Sequence, residues 1–234
     1  MTRLADATWP DMADRSAAGC VLLLPFGSTE QHGPHLPVTT DTDIAVALAE
    51  GAARRDDRLL VAPAVAYGSS GEHQGFAGTL SIGQDATELV VVELGRSARV
   101  HVASTVVVSA HGGNAAPVSR AVDRLVAEGQ RVGAWSPRFD GDLHAGRTET
   151  SLMLAIAPER VRPEHAAPGD LRSLDVLLPL LRRQGLHSIS ANGVLGDPTG
   201  ATAEEGRRLL DAAIDSLLAC AEGMRTAPTM EVSR

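Results

Sequence analysis

Residues 27–43 read GSTEQHGPHLPVTTDTD and gather Glu30, His32, His35, Asp41 and Asp43 directly behind the apolar run Val21–Phe26. Carboxylate oxygens and imidazole nitrogens are the ligands that zinc, iron and manganese share, so this segment is a metal-site candidate. Glu30 and His32 are separated by one residue, and in extended backbone that spacing turns both side chains the same way. Asp41 stands where the loop turns into a helix. There a carboxylate either caps the helix or bridges two ions with its two oxygens.

Three further polar clusters follow strand-like runs: Glu72 with His73, His111 with Asn114, and His144 with Glu149 in HAGRTETS. His111 ends TVVVSAH, where a histidine is commonly structural, but the following Gly112 and Gly113 let backbone approach a ligand closely. For Glu149 the plain alternative is a dipole-compensating carboxylate in a first helical turn capped by Thr148. His165 and His187 lack carboxylate neighbours at useful spacing and read as surface residues, and His101 is assigned no role.

The elements that must position these groups follow from hydrophobic pattern. Apolar runs at Val21–Phe26, 59–65 and 105–110, with a weaker one at 131–135, read as strands buried on both faces. Helical spacing recurs at 42–54, 86–99, 115–128, 149–156, 174–183 and 203–224. This alternation predicts a three-layer α/β/α sandwich around a mainly parallel sheet. Loops leaving the strand C-termini of such a sheet lie side by side, so the four clusters can meet at one rim. The Gly-rich stretch 67–83 is long for a connector and is read as a functional loop.

Composition narrows the function. With 234 residues, 44% of them hydrophobic, the chain suits one domain, its ends at 1–18 and 225–234 expected to be loose. A net charge of −8 and no basic run argue against nucleic acid and anionic membranes as partners. No GxGxxG or GxxxxGK[ST] follows a strand, which removes the common nucleotide sites. Only Cys20 and Cys220 occur, so a metal must rest on His, Asp and Glu. The N-terminal residues lack signal-peptide regions and no run approaches the roughly 20 apolar residues of a membrane span, so the cytoplasm is the expected compartment. From residues alone the reading is a one-metal or two-metal hydrolytic site, with a metal-free binding module as its rival.

Taken in order, GSTEQHGPHLP with TDTD, GEHQGFAGT, HGGN and HAGRTETS resemble the creatininase family of amidohydrolases over nearly all of residues 20–220. The resemblance implies a creatininase-like layered fold, homo-oligomers, and hydrolysis of amide-type bonds at a centre of two divalent metal ions, zinc or iron with manganese as a further option. It places Glu30, Asp41 and His111 on one ion, and His32 with a bridging Asp41 on the second. Glu149 is the candidate for the remaining carboxylate, because creatininase has a glutamate two residues after its matching histidine and this chain has Gly113. His144 is assigned the proton transfer to the leaving amine, and His73 the orientation of substrate or an oxyanion.

One departure bears on substrate: the aromatic residue four positions ahead of HAG in creatininase is matched by Asp140, which argues against creatinine. A second, FAGT in place of the more usual FPGT at Ala77, is expected to alter loop stiffness without touching a ligand. AYGSSGEHQGFAGT, HAGRTETS and the stretch 193–208 are instead similar to a branch of peptidases. Such an enzyme would cleave a modified ribosomal precursor peptide and release a C-terminal Val-Tyr-derived moiety, a redox-cofactor precursor. Another family amidohydrolase, acting on a small cyclic amide or a formamide, is the alternative.

Overall fold

Side chains alternate across a strand, so a strand covered on both faces must be apolar at every position. β1 (Val21–Phe26) meets that condition, all six residues being buried. The computed structural model describes residues 3–226 and sets β1 between β2 (Leu59–Val61) and β3 (Ser104–Ser109), with β4 (Val132–Trp135) beyond β3. The sheet order is β2-β1-β3-β4 and every pairing is parallel.

Alternation divides the core into two layers. Val21, Leu23, Val106 and Val108 pack against α2 (Thr40–Arg55), α5 (Arg147–Ile156) and α7 (Ala203–Thr226). Leu22, Leu24 and Val107 pack on the opposite face against α3 (Gly83–Ala98) and α4 (Ala115–Ala127). The expected α/β/α sandwich is what forms. Truncating a fully buried side chain such as Leu23 or Leu152 to alanine is expected to cost about 2–5 kcal/mol.

Several boundaries differ from the sequence reading. β2 stops at Val61 and not at residue 65, because Pro63 has no N–H to offer the ladder. The chain nonetheless continues beside β1, with the Val65 N–H donating to Pro25 O at 3.0 Å and the Gly27 N–H to Val65 O at 2.9 Å. Residues 9–17, expected to be loose, form α1 (Trp9–Ala17), started by a Thr8–Asp11 capping box. α1 buries none of its own residues, and Met12 lies against the α3–α4 layer. α6 (Leu174–Gln184) and α7 extend slightly beyond expectation. Residues 227–234 lie outside the described residues. No helix among the described residues is long and apolar enough to cross a membrane.

Candidate metal centre

The first ligand loop leaves β1 through Gly27, where a side chain would collide with the backbone of Thr42. The missing Cβ lets the first turn of α2 press against the loop and carries Asp41 beneath Glu30. Ser28 Oγ lies between the two, 2.7 Å from Glu30 Oε2 and 2.9 Å from Asp41 Oδ2, and its single hydroxyl hydrogen can serve either carboxylate. His111 leaves β3, and Asn114 ties three strand exits into one rim. Its Nδ2 donates to Gly27 O at 2.9 Å, and its Oδ1 accepts the Ser69 N–H at 2.9 Å.

The last cluster arrives on the segment before α5. His144 pairs its backbone with Leu195, and Ala145 takes a left-handed φ of 52°. Glu149 reaches back so that its Oε2 accepts the Ala145 N–H at 2.6 Å. The helix is capped at Gly146 and not at Thr148. Glu149 thus does what the plain reading required of a first-turn carboxylate, and the same Oε2 lies 3.8 Å from His32 Nε2.

The four loops therefore meet. Asp41 Oδ2 lies 3.3 Å from His111 Nδ1, and its Oδ1 lies 3.2 Å from His32 Nε2. Glu30, Asp41 and His111 have ligand atoms within 4.8 Å of one another, as do His32, His144 and Glu149, and Glu30, His73 and His144. All of these residues are buried except Glu149, which is partly so.

Two observations test whether this set fits divalent ions. His32 Nδ1 lies 3.1 Å from the Glu30 carbonyl and His111 Nε2 lies 2.9 Å from the Ser69 carbonyl. Carbonyls only accept, so those nitrogens donate, and His32 Nε2 and His111 Nδ1 are the nitrogens turned toward Asp41, each able to carry a proton or, once that proton is displaced, to bind an ion. Metal-ligating histidines are held in this way, one nitrogen committed to a carbonyl and the other to the ion. Glu30 Oε1 is the second observation: a buried carboxylate oxygen with no hydrogen-bond partner. The residues fit two adjacent ions sharing Asp41.

Electrostatics agree. Burial disfavours charge on His32, but Asp41 outweighs it and the pKa is pushed up to about 10. His111 rises in the same way, burial being overcome by Glu30 and Asp41. Burial would raise both carboxylates, yet His32 holds Asp41 well below its usual range and His111 lowers Glu30. Burial lifts Glu149 to about 7, with His32 pulling the other way. Burial and then His144 bring His73 down to about 3, and burial and then His32 take His144 well below an ordinary histidine. Ionised Glu30 and Asp41 call for positive charge, which either imidazolium protons or ions displacing those protons supply.

The remaining sequence candidates sort clearly. His35 is buried and bonded to Thr150 Oγ1 at 2.9 Å, while Asp43 accepts from Thr39 and Arg160 away from the cluster. His101, His165 and His187 are exposed, and so is Asp140. Glu72, on the 67–83 loop, comes to 3.7 Å from His111 Nε2, with burial raising its pKa. Sequence reasoning passed over Ser28 and Gln31, although both lie inside the GSTEQHG motif. Short polar residues beside metal ligands are natural candidates for holding them, and that signal was available.

Comparison with known proteins gives a consistent picture. Residues 5–221 match the family model described as "Creatininase: Creatinine amidohydrolase". A mycofactocin precursor peptide peptidase from Mycobacterium tuberculosis (strain CDC 1551 / Oshkosh) is 50% identical over 205 residues, covering 83% of this chain and 81% of the relative. A creatinine amidohydrolase from Pseudomonas putida is 29% identical over 190 residues, 68% of this chain and 73% of that protein. Among solved structures, a creatinine amidohydrolase (creatininase) superposes with a TM-score of 0.80 at 27% identity, covering 97% of this chain and 99% of that one. The motifs, the layered fold and the paired ligand groups converge on one assignment: this chain belongs to the creatininase family.

Proposed function

We propose that the protein is a metal-dependent peptidase that cleaves a modified ribosomal precursor peptide and releases its C-terminal Val-Tyr-derived moiety for redox-cofactor biosynthesis. The observation that carries this reading is the 50% identity to a mycofactocin precursor peptide peptidase, which extends far beyond the ligand motifs. The creatinine amidohydrolase is more distant at 29% identity, and the motif resemblance matches Asp140 to the aromatic residue that helps hold substrate in creatininase.

In this reading Glu30, Asp41 and His111 would hold one ion, and His32, Asp41 and Glu149 the other. Bound divalent ions supply Lewis acidity, lowering the pKa of water and polarising the scissile carbonyl. His144, neutral and buried at the edge of the ligand set, takes a proton from the attacking water and returns it to the leaving amine. His73, delivered by the 67–83 loop, orients the carbonyl. The same loop exposes Tyr67, Leu80 and Ile82, apolar side chains that a peptide substrate could contact. Homo-oligomer formation and a cytoplasmic location are part of the same proposal.

The test is incubation of the metal-loaded enzyme with the modified precursor peptide, reading the released C-terminal fragment by mass spectrometry. Release of that fragment is expected. Cleavage of neither the modified nor the unmodified peptide would move the assignment to a small cyclic amide or a formamide.

A further inference from the structure

Gln31 is 6% exposed and sits between two ligand residues, yet its side chain faces two histidines and no carboxylate hydrogen bond. Two main-chain groups fix its orientation. The Gly33 N–H donates to Oε1 at 2.8 Å, and Nε2 donates to the Gly193 carbonyl at 3.1 Å. One amide hydrogen remains on Nε2, which lies 3.1 Å from His73 Nδ1 and 3.0 Å from His144 Nε2. His144 Nε2 is also 2.9 Å from the main-chain carbonyl of Gln31, which only accepts, so this nitrogen carries a proton and offers no lone pair. The free hydrogen therefore goes to His73 Nδ1. As a neutral imidazole, His73 then carries its own proton on Nε2.

We propose that Gln31 is a positioning residue that gives the two histidines opposite polarity, so that His73 presents an N–H and His144 a bare Nδ1 to one space beside Glu30 Oε1. The two nitrogens lie 3.3 Å and 3.9 Å from that oxygen. With a proton on Nε2, His73 is not a ligand, which separates the group Glu30, His73 and His144 from the two ion positions. The segment 193–197, otherwise without a role, acquires one. Gly193 provides the carbonyl that pins the amide, and a Cβ there would run into Gln31 Oε1. Leu195 pairs with the backbone of His144.

The consequence for substrate rests on the peptidase reading. The scissile carbonyl oxygen points toward the His73 N–H, and the leaving nitrogen toward His144 Nδ1. As the water oxygen bonds to the carbonyl carbon, its proton passes to His144 Nδ1. That proton moves to the leaving nitrogen as the C–N bond breaks, and the ring ends as it began. The polarity of the pair thus sets the direction in which a peptide chain can lie.

Nitrogen-15 spectra of zinc-loaded, histidine-labelled protein read ring tautomers without any substrate. Wild type is expected to show both His73 and His144 protonated on Nε2. In Gln31→Glu the side chain can no longer donate, so His73 is expected to move its proton to Nδ1 while His144 stays unchanged. That variant should keep its two metal equivalents and lose roughly 10–100-fold in kcat, the usual cost of an outer partner, with KM little altered. His73 protonated on Nδ1 in wild type overturns the inference, whether or not the variant folds. An unchanged His73 tautomer with unchanged kcat in Gln31→Glu overturns it as well. A precursor peptide left uncut by protein with the expected tautomers would count against the peptidase reading alone.

Discussion

His111 and His32 approach different oxygens of one carboxylate, Nδ1 of the first lying 3.3 Å from Asp41 Oδ2 and Nε2 of the second 3.2 Å from Asp41 Oδ1. In the proposed ligand set this aspartate would serve both ion positions, whereas Glu30 faces only His111 among these two histidines. Asp41→Asn is expected to lower the occupancy of both positions, and Glu30→Gln that of one. Turnover should fall in each by more than the roughly 10–100-fold typical of outer partners. Elemental analysis alongside circular dichroism checks this. Full turnover by metal-free protein would remove the basis of the mechanism.

Chelation should destabilise the fold as well as silence it, because the ligand groups carry buried charge that only the folded chain assembles. At free metal a hundredfold above its Kd, the loaded protein gains about 2.7 kcal/mol. For a chain of this size that is roughly 5–10 °C in Tm. Melting curves before and after chelation, and after adding zinc or manganese back, measure it. Identical curves would argue that no resident ion belongs here.

The motif resemblance matches Gly113 to a glutamate of creatininase, and here the missing side chain has a use. A Cβ at this position would run into Ser69 O, His111 Nε2 and the Glu72 carboxylate together. Gly113→Ala is expected to push His111 off the Ser69 carbonyl that orients it and to cost about 1–3 kcal/mol of stability. Metal affinity should drop with it. Titration of the chelated variant with zinc provides the measurement, and wild-type affinity would show that the rim yields without disturbing His111.

His35 offers a pH dependence outside the ligand set. Burial, and then the charge of His32, lower its pKa from 6.5 to about 4. Its unfolded form therefore binds a proton at a higher pH than its folded form does. The contribution is fully present above 6.5 and is lost as pH falls toward 4, by at most roughly 3–4 kcal/mol. Urea unfolding at pH 7 and pH 5 should show wild type losing more stability across that interval than His35→Gln. Equal losses would place the titration elsewhere.

How far the sequence could be read depended on the range of the interaction involved. Val21–Phe26 was legible to the residue because six consecutive apolar side chains leave a strand few options but burial on both faces. The residues of the candidate metal centre were legible by type and by clustering, since Glu30 and His32 are neighbours in a motif and His111 ends a buried strand. α1 was missed because its pattern buries nothing fully, and the end of β2 was misplaced because one proline mattered more than the apolar run around it.

By itself, then, the sequence determined the layered α/β plan, the rim on which chemistry must lie, and the kinds of atoms available to hold an ion. Those follow from periodicity and side-chain chemistry, which are local. Tertiary structure alone decided that Asp41 splits its oxygens between two histidines, that Glu149 both starts a helix and faces His32, and that an unremarked glutamine touches two imidazoles. Each of these depends on groups up to 162 residues apart meeting within hydrogen-bond distance, as Gln31 and Gly193 do. Only the packing of four loops against one sheet end fixes such distances, and with them which ring nitrogen holds a proton.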